Sequence, residues 1–280
     1  MKHIIESIIP GFNDRQIPIM MGILNVTSDS FSDGNQYIER DTAIEHALAM
    51  IREGADIIDI GGESSRPGSL PVTEELELSR ICPVIEGIRQ HSQIPISLDT
   101  TKASVAEAGI RLGVRIINDI SALRFDPEMQ KVLLKYPETA VVLMHMQGTP
   151  EQMQVNPHYE DVLHDIMEFF TERIQYCVSN GIGLHRIIID PGIGFGKRLG
   201  DNLKILRNIA ALKKFGVPVL LGASRKNFIN MLDPSEVHER LGGTLAVTAQ
   251  AFMEQVEILR IHDIQPNKQF LLVLNAIHRS

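Results

Sequence analysis

The chain has 280 residues, 44% of them hydrophobic and 22% charged, and its formal net charge at pH 7 is −8. This composition is ordinary for a globular protein with a sizeable core, and the negative charge argues against nucleic-acid binding, which requires a basic face. Its cysteines, Cys82 and Cys177, argue against a disulfide framework, and no apolar run approaches the roughly 20 residues of a membrane span, so we expect a cytoplasmic protein without a membrane partner.

Eight short apolar runs rich in Val, Ile and Leu recur along the chain, and the segments between them have helical periodicity. The runs show no alternation of apolar and polar residues, which is typical of parallel strands buried on both faces. Strands that alternate with helices form βαβ units, and eight such units predict an α/β fold, a single (β/α)8 TIM barrel. The predicted strands are 19–26, 55–62, 95–100, 114–119, 140–146, 186–191, 217–223 and 257–262, and predicted helices include 41–52, 73–91, 161–180 and 201–214.

The chain has no Pro/Ser-rich linker, so residues 1–280 are predicted to form one domain. Residues 1–18 are a short N-terminal extension expected to cap the bottom of the barrel. Residues 19–263 hold the eight strands and their helices, and residues 264–280 form a C-terminal helix. A doubly wound open sheet is the alternative, but such sheets usually have fewer strands and a Gly-rich first turn, which this chain lacks.

Polar residues follow the predicted strands at the point where each strand ends. In a barrel these ends converge on the C-terminal face, which carries the active site in this fold. A single polar strand end is equally explained by a turn or a helix cap, and that alternative stays open for Asp119 and Ser121. Eight such ends predict a functional site; they are Asn25, Gly61-Gly62-Glu63, Asp99, Asn118-Asp119, Met144-His145, Asp190, Gly222–Lys226 and Arg260–Asp263.

The residue types at these ends separate by chemistry. Asp99, Asn118 and Asp190 supply acceptors and an amide, which suit the edge of a nitrogen-rich heterocycle. Cationic donors suit phosphate or a carboxylate, and they are Arg66, Lys226, Arg260 and His262. One half of the site is therefore predicted to bind a base-like ring and the other half an anion.

Several nearby residues have a second interpretation. The Gly-rich run Pro191–Lys197 matches neither a P-loop nor a dinucleotide fingerprint, so its glycines are interpreted as allowing close approach of the backbone to a flat ligand. The carboxylates after Thr73, including Glu77, are interpreted as helix-start residues that favour the helix dipole. Glu63 and His145 stay open between contact with a ligand and support of the groups that bind it.

Seven segments at the strand ends, taken in order, resemble the dihydropteroate synthase family. The resemblance extends from Ile19 to Asp263, and its segments are Asn25–Gly34, Asp59–Gly68, Ser97–Asp99, Ile117–Asp119, Asp190–Lys197, Ser224–Lys226 and Arg260–Asp263. The chain departs from the usual family residues Pro, Gly, Thr and Gly at Ser28, Asn35, Ser65 and Gln255.

The resemblance implies a transferase of folate biosynthesis. Family members condense 6-hydroxymethyl-7,8-dihydropterin diphosphate with 4-aminobenzoate, giving 7,8-dihydropteroate and diphosphate. They use Mg2+, are usually homodimers and are blocked by sulfonamides. The resemblance therefore implies Mg2+ as cofactor, small molecules as substrates and inhibitors, and a second copy of the chain as partner.

The resemblance also implies a role for individual residues. The pterin would be bound by Asp99, Asn118, Met144, Asp190, Phe195 and Lys226. The diphosphate would be bound by Asn25, Arg66, Arg260 and His262, with Asn25 also reaching the Mg2+. The aminobenzoate pocket would consist of Phe31, Ser65, Arg66, Pro67 and Ser224. The catalytic residues would be Asp33, Lys226, Arg260 and His262.

Two other functions compete with this one. A pterin-binding methyltransferase domain shares the barrel and the pterin-edge carboxylates but binds no diphosphate, so the cationic segments Ser224–Lys226 and Arg260–His262 favour the synthase. A barrel that binds pterin without catalysis is expected to lack catalytic-loop residues, whereas Asp33 and Arg66 are present.

Overall fold

The computed structural model describes residues 3–27, 36–65 and 68–280, with the side chains of residues 36–39 left out of the description. In this part of the chain eight parallel strands form a barrel in the order β6-β5-β4-β3-β2-β1-β8-β7. An isolated bridge between Ile189 and Val219 joins β6 to the segment that precedes β7. The strands are β1 Ile19–Asn25, β2 Ile57–Gly61, β3 Ile96–Asp99, β4 Ile116–Asp119, β5 Ala140–Met144, β6 Ile187–Asp190, β7 Leu220–Leu221 and β8 Ile258–Ile261.

Helices surround the strands and alternate with them along the chain, which confirms the predicted TIM barrel. They are α1 Ile5–Ile8, α2 Gln36–Glu53, α3 Glu74–His91, α4 Ala103–Arg111, α5 Met129–Lys135, α6 Val162–Ser179, α7 Leu199–Arg207, α8 Asn227–Leu232, α9 Leu241–Met253 and α10 Ile264–Arg279. Within the described ranges, none of these helices is both long and apolar enough to cross a membrane.

Each predicted strand contains an observed one, each of them shorter than predicted, and the helix predicted over 41–52 begins earlier, at Gln36. Two further elements differ for identifiable reasons. Strand β7 has only two residues, because Pro218 within the predicted run has no N–H to donate to a ladder. The helix predicted over 201–214 is interrupted at Asn208, where a 3-10 segment, Ile209–Phe215, follows α7. The Asn208 side-chain amide donates to the Lys204 carbonyl at 2.8 Å, and the Asn208 backbone N–H bonds Ile205 instead.

The lower half of the barrel interior is apolar and is covered from below by the N-terminal extension. Ile5 and Ile8 of α1 join one cluster with inward-facing strand residues such as Met21, Ile116 and Ile188. The extension is fixed by the Ile4 N–H, which donates to the His185 carbonyl at 2.8 Å. The predicted cap at the barrel bottom is confirmed, whereas the assignment of residues 1–280 to one domain stays a prediction.

Candidate active site

The strand register brings predicted site residues to the C-terminal mouth of the barrel. Asn25 pairs with Gly61, Gly61 with Asp99, and Asp99 with Asn118 across the ladders from β1 to β4. Met144 pairs with Asp190 on the next two strands. Residues paired in parallel strands point to the same face, so these side chains converge on the interior of the C-terminal end.

An ion cluster occupies the centre of this mouth. Arg260 of β8 donates through Nε to Asp59 Oδ2 at 2.6 Å and through Nη2 to Asp99 Oδ2 at 2.9 Å. The Asn118 side-chain amide donates to the same Asp59 oxygen at 3.2 Å. Burial raises the pKa of Asp99, and Arg260 acts in the opposite direction. Burial opposes the charge of Arg260, but Asp59 and Asp99 outweigh it and raise the pKa of the guanidinium.

Asp190 presents an acceptor on the opposite side of the mouth. Its Oδ1 accepts the Gly192 backbone N–H at 2.7 Å, which fixes the carboxylate. Burial raises its pKa to about 6, although that hydrogen bond and the charge of Lys226 act in the other direction. A Cβ on Gly222 would lie 3.5 Å from Asp190 Oδ2, so the glycine leaves space beside that oxygen.

An apolar slot adjoins Asp190. Met144 and Phe195 belong to one buried cluster with Ile120, Met146 and Met153. The Lys226 ammonium lies 4.1 Å from the centroid of the Phe195 ring, within the range of a cation–π contact. A flat ring bounded by apolar side chains and by an ammonium fits this arrangement.

His262 and Ser224 adjoin the Arg260 side of the mouth. Ser224 Oγ lies 3.0 Å from His262 Nδ1 and accepts the His262 backbone N–H at 3.3 Å. Burial, reinforced by the charges of Arg260 and Arg225, lowers the pKa of His262 to about 3. The lowered pKa favours the neutral imidazole, so the role of His262 as a cationic donor stays a prediction.

Known proteins are similar to this chain over most of its length. A family model described as pterin binding enzyme matches residues 21–262. The chain is 41% identical to the dihydropteroate synthase of Synechocystis over 93% of its length and 90% of that protein's. It is 42% identical to the dihydropteroate synthase of Escherichia coli over 94% of its length and 93% of that protein's.

Solved structures agree with the sequence relatives. The Yersinia pestis dihydropteroate synthase in complex with a sulfonamide drug superimposes with a TM-score of 0.89 at 40% identity, over 94% of this chain and 95% of that one. The Xanthomonas albilineans dihydropteroate synthase in complex with 7,8-dihydropteroate gives 0.85 at 38% identity, over 94% and 95%. The chain belongs to the dihydropteroate synthase family. It is a transferase of folate biosynthesis, and neither the methyltransferase domain nor the non-catalytic barrel is favoured.

Two buried residues of this dihydropteroate synthase site were not assigned a role from the sequence. Asp59 had no predicted role of its own, although a carboxylate inside the apolar run Ile57–Ile60 indicates a buried partner. Lys197 donates to the carbonyls of Gly192 at 2.9 Å and Phe195 at 3.0 Å, and its Nζ lies 3.0 Å from His145 Nδ1. It thus fixes the Gly-rich loop, and burial lowers its pKa to about 7.

The structure shows specific contacts for the strand-end residues whose interpretation the sequence left open. Asp119 accepts from the backbone N–H groups of Ser121 at 2.7 Å and Leu123 at 3.0 Å, so it organises the turn after β4, well before α5 begins at Met129. His145 contacts Lys197 and packs edge-on against Phe169, which places it behind the slot as a support. Glu63 bonds to Lys102 at 2.5 Å.

Part of the predicted site lies outside the described residues. Phe31, Asp33, Arg66 and Pro67 fall there, as do the family departures Ser28 and Asn35. Ser65 is described and half-buried. Gln255, where the family has glycine, adopts a φ of +55°, so a side chain here occupies the left-handed conformation that glycine accepts without strain.

The described ranges contain no group of three or more His, Cys, Asp or Glu side chains able to hold a metal ion. Asn25 contributes one amide oxygen at the end of β1, 3.8 Å from the position a Cβ would take on Gly61. Mg2+ is commonly bound by one or two protein oxygens together with substrate phosphates and water. The residues present therefore fit an ion held mainly by a diphosphate.

Proposed function

We propose that the chain condenses 6-hydroxymethyl-7,8-dihydropterin diphosphate with 4-aminobenzoate by a dissociative substitution at the pterin methylene. The observation that carries this proposal is the gathering at one barrel mouth of buried Asn118 and Asp190 with Asp99, which Arg260 contacts directly. A pterin carries adjacent N–H groups and acceptors along one edge, much as guanine does, and carboxylates accept such N–H pairs.

The pterin ring is placed between the two sides of the mouth. Asp99, Asn118 and Asp190 read its polar edge, and Lys226 donates to a ring acceptor. Met144 and Phe195 pack against its faces, which agrees with their shared cluster next to Asp190. The fixed geometry of Asp190 favours this role, because the Gly192 hydrogen bond occupies one carboxylate oxygen and leaves the other for the ligand.

The diphosphate is placed over the cationic side, at Asn25, Arg66, Arg260 and His262. The contacts of Arg260 with Asp59 and Asp99 use two of its five N–H donors and hold the guanidinium in place before an anion arrives. A bound diphosphate raises the pKa of the adjacent His262, so this neutral imidazole gains affinity for a proton as the ligand binds. Asn25 would hold Mg2+ there, and the bound ion would further neutralise the leaving charge.

The reaction breaks the methylene C–O bond, and its electron pair leaves with the diphosphate. The aminobenzoate nitrogen then forms the new C–N bond and releases its proton. Asp33 stabilises the cationic methylene, while Lys226, Arg260 and His262 complete the catalytic group. The aminobenzoate pocket consists of Phe31, Ser65, Arg66, Pro67 and Ser224. The contact between Ser224 and His262 supports this assignment, because it places Ser224 next to the diphosphate side.

The test is a turnover assay with both substrates, in the presence of Mg2+ and after chelation. We expect stoichiometric release of diphosphate and dihydropteroate, which neither a methyltransferase domain nor a non-catalytic barrel would give. Loss of Asp33 is expected to lower kcat while pterin affinity is retained. A covalent enzyme–pterin adduct, or full turnover by Asp33→Ala, contradicts the dissociative mechanism.

Two further properties belong to the same proposal. Because a sulfonamide is bound by the related Yersinia pestis enzyme, sulfonamides are expected to compete with 4-aminobenzoate here. The chain is also expected to form a homodimer, which sedimentation equilibrium measures directly.

A further inference from the structure

A second ion cluster lies behind the loop of residues 62–73, which joins β2 to α3. Lys102, at the start of α4, bonds through Nζ to Glu63 Oε2 at 2.5 Å and to Glu77 Oε2 at 2.6 Å. Glu63 belongs to the loop itself, and Glu77 to the first turns of α3. The interpretation of Glu77 as a simple helix-start residue is therefore wrong, because its carboxylate turns inward to an ammonium.

The cluster is built at substantial burial. Glu77 is fully buried, and the side chains of Lys102 and Glu63 are 19% and 27% exposed. Burial opposes the charge of Lys102, but the hydrogen bonds that it donates to both carboxylates, together with their charges, outweigh burial and raise its pKa. Removal of the cation beside a buried carboxylate would strongly destabilise the folded protein. Lys102 is therefore held charged between the loop and α3.

Glu63 also closes the loop on itself. The Oε2 atom that accepts from Lys102 also accepts the Val72 backbone N–H at 3.0 Å, so one carboxylate joins both ends of the segment. The adjacent Gly62 is packed against α3, where a Cβ would lie 2.8 Å from an Ile81 methyl group, and its carbonyl accepts from Arg80 at 2.7 Å. The ends of the loop are thus fixed by the Glu63–Lys102 ion pair and by the close packing of Gly62 against α3.

We propose that Glu63, Lys102 and Glu77 are positioning residues that set the conformation of the aminobenzoate-binding loop. The inference rests on the proposed function, which assigns Ser65, Arg66 and Pro67 of this loop to the aminobenzoate pocket. None of the three positioning residues contacts substrate in this proposal. Their effect is expected on the second substrate, because none of the residues assigned to the pterin belongs to this loop.

The experiment compares Glu63→Gln, Lys102→Gln and Lys102→Arg with wild type. We expect the KM for 4-aminobenzoate to rise roughly tenfold or more in Glu63→Gln and Lys102→Gln, the effect of losing one charge-assisted hydrogen bond. The KM for the dihydropterin diphosphate and its affinity by calorimetry are expected to stay within about twofold of wild type. Lys102→Arg retains the cation and is expected to restore much of the lost affinity.

A matched control is Arg15→Gln, which breaks the half-buried pair between Arg15 and Asp56 below the barrel. It is expected to leave both KM values unchanged. Hydrogen exchange adds a readout of the loop, because the Val72 amide should exchange faster in Glu63→Gln than in wild type or in the control.

The outcomes separate this inference from the proposed function. Absence of turnover by the wild type overturns the proposed function. Turnover with an unchanged aminobenzoate KM in Glu63→Gln, or a parallel change in both KM values, overturns the positioning role. If Lys102→Gln fails to fold, Glu63→Gln decides, because Glu63 is partly exposed and its replacement leaves the Lys102–Glu77 pair in place.

Discussion

Asp190 combines an oxygen fixed by the backbone with an oxygen directed at the ligand space. Replacing it with Asn introduces an NH2 group that faces either the Gly192 N–H or a ring N–H. We expect Asp190→Asn to weaken pterin binding by about 1–3 kcal/mol, the cost of an unmade buried hydrogen bond. Calorimetric titration with a pterin measures this. Asp161→Asn, at an exposed helix N-cap, should bind as wild type does, and equal losses in the two variants would contradict the assignment.

The pKa of Asp190, raised to about 6 by burial, makes pterin affinity depend on pH. The ionised carboxylate accepts N–H groups, so above pH 6 Asp190 is ready to bind and adds no pH dependence of its own. Below pH 6 a proton must first leave, and affinity should fall by up to about tenfold per pH unit. Titrations in buffers of different ionisation enthalpy measure the proton released on binding. Uptake of a proton on pterin binding below pH 6 would contradict the assignment.

Single residues also show which features of the site can be predicted from the sequence and which cannot. Asp99, Asn118 and Asp190 were predictable because each ends an apolar run. Asp59 and Lys197 were not assigned because their partners, Arg260 and the carbonyls of the Gly-rich loop, are defined only by the closed fold. The lowered pKa of His262 was equally hidden, since it follows from burial and from neighbouring cations.

At the scale of elements, the Gly-rich loop after β6 is constrained by one close approach. Gly192 has a φ of +66°, and a Cβ there would overlap the His145 carbonyl oxygen, whereas Gly216 has the same φ with nothing within 4 Å. We expect Gly216→Ala to cost about 1–2 kcal/mol of left-handed strain. Gly192→Ala should cost about 1–3 kcal/mol more and weaken pterin binding through Asp190. Urea unfolding measures the difference, and equal costs would show that the loop relaxes.

The N-terminal helix α1 contributes to stability without belonging to the site. Ile5 is fully buried under the barrel, whereas Ile277 of α10 is 63% exposed. Ile5→Ala should lower the free energy of unfolding by about 2–5 kcal/mol. Ile277→Ala should change it by less than about 0.5 kcal/mol, and neither should alter KM. Chemical unfolding and steady-state kinetics measure these effects, and a changed KM in Ile5→Ala would link the barrel bottom to its mouth.

At the scale of the whole molecule, the barrel is weakest between β6 and β7. Strand β2 pairs along both edges, but β6 meets the β7 segment through the Ile189–Val219 bridge and a bond from the Ile189 N–H to the Pro218 carbonyl. Native-state hydrogen exchange should therefore find a smaller opening free energy for the Ile189 amide than for the β2 amides. Equal protection at both places would mean that the barrel opens only as a unit.

The whole architecture was more predictable than its details. Eight apolar runs and their spacing indicate a barrel because burial on both faces leaves a sequence signal in every strand. The break after α7 at Asn208 and the short β7 depend on single hydrogen bonds and on one proline, which periodicity does not detect.

The division of the site between strands and loop has a consequence for drug selection. Asp99, Asn118 and Asp190 stand on strands, where a substitution disturbs buried partners as well as the ligand. Ser65 stands on a loop where this chain already differs from its relatives. We expect an inhibitor that relies on the loop to leave the organism more escape substitutions than one that relies on the strands. An inhibitor that relies on the strand carboxylates confronts it with variants that lose the substrate together with the drug.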